Sequence, residues 1–109
     1  MKPLVYISAP YTKGDVAENI HKVVTIANEV YSHGYLPFVP HLTHLWHLIT
    51  PKPHEFWMEL DLRMLANCDA LLRVPGDSIG ADIEVAKAYE LGIPTFFSID
   101  GLLRLPKDM

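Results

Sequence analysis

Two carboxylates stand where the helical pattern asks for apolar residues. In the segment EFWMELDLRMLANCD, residues 55–69, a spacing of about 100° per residue puts Trp57, Leu60, Met64 and Leu65 on one arc. Asp61 falls in the middle of that arc, while Glu59 and Arg63 point away. In DSIGADIEVAKAYELG, residues 77–92, Ala81, Val85, Ala88 and Leu91 form the inward arc and Glu84 sits among them. A carboxylate on a core-facing stripe costs several kcal/mol unless it is partnered or put to work. Paired acids of this kind serve cleavage at an anomeric carbon, where one attacks the oxocarbenium-like centre and the other handles a proton or orients the sugar. Glu84 lies near a helix start, whose dipole favours an anion, and Asp61 lies mid-helix. The expected roles are therefore Glu84 as nucleophile and Asp61 as its partner.

Other residue types supply binding chemistry. Ser78 can cap the second helix, and Gly80 permits close backbone approach at a helix start suited to an anion or hydroxyl group. Between Pro40 and His54 lies a stretch with four histidines and three prolines, long for a loop in so small a domain. The spacing of His41, His44 and His47 invites a metal reading, yet zinc chemistry also wants a carboxylate or cysteine in matched geometry. The reading preferred here is a pocket for a flat ring, lined by some of these histidines with Trp46 and Trp57, and no metal or other cofactor.

The elements that must position these groups alternate. Leu4–Ile7 reads as a buried strand closed by Ser8, Ala9 and Pro10, and a helix follows from about Asp15 to Ser32, stopped by Gly34. Strands are expected again at Leu36–Val39, Ala70–Val74 and Pro94–Ile99, with the Asp61 and Glu84 helices flanking the third. Apolar strands alternating with helices imply an α/β fold: three layers, a parallel sheet of four to five strands, helices on both faces. Such sheets bind ligands beyond the carboxyl ends of their strands, where Tyr6, the histidine segment and both acids would converge.

Composition bounds the alternatives. The 109 residues make one domain, residues 1–109, with half of them hydrophobic and a fifth charged. A formal net charge of −4 argues against a nucleic-acid partner, which needs a basic face. The single cysteine, Cys68, excludes an internal disulfide and fits a reducing compartment. No apolar run approaches the roughly 20 residues of a membrane span, and the chain reads directly into its first strand. A cytoplasmic protein with no membrane partner is expected.

Three motifs together resemble the nucleoside 2-deoxyribosyltransferase-like family, which includes the deoxynucleoside 5′-monophosphate N-glycosidases and small bacterial and phage relatives. They are YISAPY at residues 6–11, Asp61 placed eight residues before Asp69 of the Cys68-Asp69 pair, and Ser78-x-Gly80-x-x-x-Glu84 leading into YELG at 89–92. The resemblance implies a flavodoxin- or Rossmann-like sheet and N-glycosidic cleavage or transfer on a deoxynucleoside or its 5′-monophosphate. It implies that Glu84 carries the covalent deoxyribosyl intermediate, that Asp61 orients sugar and base, and that Tyr6 helps hold the reacting groups. Ser78 matches the serine of the monophosphate hydrolases, and Ser8 stands as a second phosphate contact. Pro10, Gly80, His41, His44 and Trp57 complete the expected substrate-binding set, and a homodimer or higher homo-oligomer is implied. The alternative reading is a non-catalytic nucleotide-sensing module of the same fold.

Overall fold

In the computed structural model, which describes residues 1–109, four short strands form one sheet in the order β2-β1-β3-β4. They are β1 (Leu4–Ser8), β2 (Leu36–Phe38), β3 (Ala70–Arg73) and β4 (Thr95–Phe96), and every neighbouring pair is parallel. The helices are α1 (Val16–Ser32), α2 (His44–Ile49), α3 (His54–Leu65), α4 (Ile79–Glu90) and the single turn α5 (Ile99–Leu102), with a 3₁₀ turn at Pro40–Thr43. The expected α/β architecture is therefore present, with four strands. No helix is long and apolar enough to cross a membrane.

Alternation along β1 divides the molecule into two layers of packing. Val5, Ile7 and Ala9 face a core with Val23, Ala27 and Val30 of α1 and with Leu102 and Leu105. Tyr6 faces the other way, against Leu65, Cys68, Leu71 and Ala88, with α3 and α4 above it. Register places Tyr6 between Phe38 and Leu71, and Ser8 beside Arg73. Both polar groups of β1 thus lie on the side of the sheet that α3 and α4 cover.

Local signals account for most boundaries. Asp15 caps α1 by accepting from the Glu18 N–H at 3.1 Å, and Gly34, at φ +98°, turns the chain out of it. Ser78 caps α4 by accepting from the Ala81 N–H at 3.1 Å.

Four expectations need correction. The histidine segment is helical rather than a loop, because Trp46 packs edge-on against Phe56 and Trp57, with centroids 5.5 and 5.2 Å apart, and ties α2 to α3. The fourth strand is only Thr95–Phe96, because Ser98 accepts from the Gly101 N–H at 3.0 Å and starts α5. Met64 and Leu91 are 37% and 43% exposed instead of inward. Each lies at the C-terminal end of its helix, where Cys68 and Ile93, arriving from the following turns, take the core positions.

Candidate active site

The strand order reverses between β1 and β3, and an open parallel sheet leaves a crevice at such a point. A cleft of about 840 Å³ opens there, a size typical of small-molecule sites. Along α3 the lining residues are His54, Trp57, Met58 and Asp61, which the helical repeat aligns as one stripe. Facing them are Ser78, Gly80, Ala81 and Glu84 from the start of α4, while Tyr11, Thr12 and Lys13 close one rim.

Glu84 is buried to 6% exposure but remains on the cleft wall. Both of its oxygens are held from β1: the Tyr6 hydroxyl donates to Oε2, and the Ser8 hydroxyl donates to Oε1 at 2.7 Å. Burial pushes its pKa up, while Tyr6, Ser8 and the charge of Arg73 pull it back toward the ionised form. Glu84 lies in the second turn of α4, past the turn where the helix dipole acts, so these donors, and not the dipole expected from the sequence, are what favour its anion. Burial and the two acids push the Tyr6 pKa upward, so this hydroxyl stays a donor.

Asp61 has a different environment. It is half-buried, no side chain donates a hydrogen bond to it, and its pKa is pushed up to about 7 by burial first and by Glu84 second. Two acids coupled in this way cannot both ionise easily. Two hydroxyl donors favour the charged form of Glu84 against its burial, while Asp61, which lacks such donors, is pushed toward its protonated form.

Arg73 is a site-supporting residue that sequence reasoning missed. Its guanidinium donates to the carbonyl of Val74, to that of Gly76 at 2.8 Å and to Asp82 Oδ1 at 3.1 Å. It therefore pins the loop between β3 and α4 while placing positive charge behind Glu84. In the sequence it sits within the apolar run ALLRV, and only its burial shows that it is not a surface arginine.

The expected site residues divide into two groups. Asp61, Glu84, Ser78, Gly80, His41 and Trp57 line the cleft. Tyr6 and Ser8 are fully buried beneath it, so Ser8 acts on Glu84 and does not reach a phosphate. Pro10 is off the wall and organises the loops instead: its carbonyl accepts from His41 Nε2 at 2.9 Å, and its ring crowds Gly76. His44 is also off the wall, hydrogen-bonded through Nδ1 to the Tyr11 hydroxyl. His41 is desolvated, which lowers its pKa, so it stays neutral while bracing the first loop. No three metal-binding side chains come together, since His41, His44 and His47 each turn to a different partner.

A family model described as Domain of unknown function (DUF7768) matches residues 3–98. The chain belongs to the DUF7768 family. A comparison of its sequence with curated proteins gives no match. Among solved structures, this DUF7768 protein is similar to a 2-deoxyribosyltransferase from the psychrotolerant bacterium Bacillus psychrosaccharolyticus, with a TM-score of 0.64 and 20% identity over 84% of this chain and 69% of that one. At that identity the likeness establishes a shared fold.

Proposed function

We propose that this DUF7768 protein cleaves or transfers the N-glycosidic bond of a deoxynucleoside or deoxynucleoside 5′-monophosphate. The observation that carries the proposal is the cleft-wall carboxylate of Glu84, held by two hydroxyls of β1 and facing a helix that carries a protonatable Asp61. In the first step a Glu84 oxygen forms a bond to the anomeric carbon as the bond from that carbon to the base nitrogen breaks. The base leaves with the bonding electron pair and takes a proton from Asp61. In the second step water, or a second base, attacks the same carbon, returns a proton to Asp61 and frees Glu84.

The shared fold with a 2-deoxyribosyltransferase supports this reading, as does the resemblance of Gly80 and Glu84 to the wider family's motif, in which Ser78 is the residue of the monophosphate hydrolases. The Ser78 oxygen accepts from the Ala81 N–H, so its own hydrogen is free for a ligand oxygen at the same helix start. Lys13, on the same rim and 3.2 Å from Asp77, supplies a cation for a phosphate. A homodimer is part of the same proposal, and sedimentation velocity tests it.

The decisive experiment incubates the protein with the four deoxynucleosides and their monophosphates and measures released base by chromatography. The proposal expects release by the wild-type chain and its loss in Glu84→Ala with binding retained. Binding without release by the wild-type chain selects the sensing module instead.

A further inference from the structure

One polar group on the cleft wall has no part in the steps above, the imidazole of His47. Its Nδ1 accepts two hydrogen bonds, from the Trp57 indole N–H at 2.9 Å and from the Lys52 backbone N–H at 3.2 Å. An indole N–H and a peptide N–H can only donate, so Nδ1 carries no hydrogen. The hydrogen of the neutral ring therefore resides on Nε2. That nitrogen has no protein partner, and every buried side-chain nitrogen and oxygen does have one, so Nε2 is open. A half-buried ring on the cleft wall, clamped at its accepting end, thus leaves its donor open.

The donor's position points to the group it meets. Trp57 holds His47, and Asp61 follows four residues later on the same stripe of α3, about 6 Å along the helix axis. This side of the cleft offers an indole face and the protonatable Asp61, which suit a flat heterocycle. The opposite rim holds Ser78 and Lys13, where an anion fits. His41 does not compete for the role, because its Nε2–H is donated to the Pro10 carbonyl and its Nδ1 can only accept, and His44 lies off the cleft wall.

We infer that His47 recognises the leaving base, its Nε2–H donating to a carbonyl oxygen or an unprotonated ring nitrogen of the heterocycle. The inference rests on the glycosidic reading and adds a specificity residue to it. Ligands with an acceptor at this edge are held, and those that place an amino group there meet donor against donor.

Nitrogen-15 spectra of the histidine rings and calorimetry in a Glu84→Ala background test it, with 2′-deoxyinosine, thymidine and 2-deoxyribose 5-phosphate as probes. The expected results are an Nε2–H ring for His47, roughly tenfold weaker binding of both nucleosides in His47→Phe, and substantial recovery in His47→Gln, which keeps an N–H donor. Binding of 2-deoxyribose 5-phosphate, which has no base, should be the same in all three. An Nδ1–H ring, unchanged nucleoside binding in His47→Phe, or equal weakening of the sugar phosphate overturns the inference alone. Failure of the folded parent to bind any deoxynucleoside overturns the glycosidic reading and this inference with it.

Discussion

The Ser8 hydroxyl on β1 donates to Glu84 Oε1 on α4 at 2.7 Å, joining residues 76 apart in sequence. Tyr6, two residues earlier on the same face of the strand, holds the other oxygen. A carboxylate gripped at both oxygens has little freedom to rotate, so one strand face sets both the direction and the charge of the proposed nucleophile.

Removing either grip should slow the chemistry and leave binding largely intact. Hydrogen bonds to a charged group contribute about 1.5–3 kcal/mol, so Tyr6→Phe and Ser8→Ala should each lower kcat by roughly 10- to 100-fold. Steady-state base release checks this, and a change confined to KM would contradict it.

Asp61 should make the protein less stable as pH rises. Its folded pKa is about 7 against an ordinary 3.8, so across that window the folded state holds a proton that the unfolded chain has lost. Stability then falls with pH by at most about 1.4 kcal/mol per unit, and flattens above about 7. In urea titrations Asp61→Asn should be more stable than wild type at pH 8 and nearly equal at pH 3.5. The same variant should lose the fall in base release that wild type shows above about pH 7.

Arg73→Met should shift the acid limb of the rate profile to higher pH, because the charge of Arg73 favours ionised Glu84. Arg73→Lys keeps a charge but cannot hold both carbonyls, so it should lose stability while leaving that limb close to its original position. Profiles of kcat against pH, beside thermal melts, separate the two effects.

Gly76→Ala should be the most damaging glycine change. Gly76 has φ +128°, and a Cβ there would lie 2.7 Å from the Pro10 ring. Gly92, at φ +70° with nothing within 4 Å, bears only the backbone penalty, about 1 kcal/mol. Melts of the two alanine variants should show Gly76→Ala falling clearly further. Gly80, which the sequence marked as the close-approach glycine, has room for a Cβ, its nearest neighbour being Met58 Sδ at 3.9 Å.

Much of this arrangement was legible because periodicity is a local property. The strands β1 to β3, the helices α1, α3 and α4, and the inward placement of Asp61 and Glu84 all follow from spacing within a dozen residues. What spacing could not show were partners contributed from elsewhere in the chain. Ser8 reads as a loop-edge hydroxyl until α4 is laid over it, and Arg73 as an outlier in an apolar run until the loop after β3 folds back. The helicity of 44–49 was hidden for the same reason, since it depends on Trp46 meeting Phe56 and Trp57. The spacing of His47 suggests a metal ligand, whereas its observed partner is the Trp57 indole on α3, which clamps the ring.

The two-sidedness of β1 also bears on how the protein tolerates change. Val5 and Ile7 serve only the layer of α1 and α5, while Tyr6 and Ser8 serve only the layer of α3 and α4. Substitutions among Val23, Ala27, Val30 and Leu102 can therefore drift together as long as volume is conserved, insulated from the cleft by the thickness of a sheet. A redesigner has in effect one half of a molecule to rebuild for robustness and the other half to leave alone.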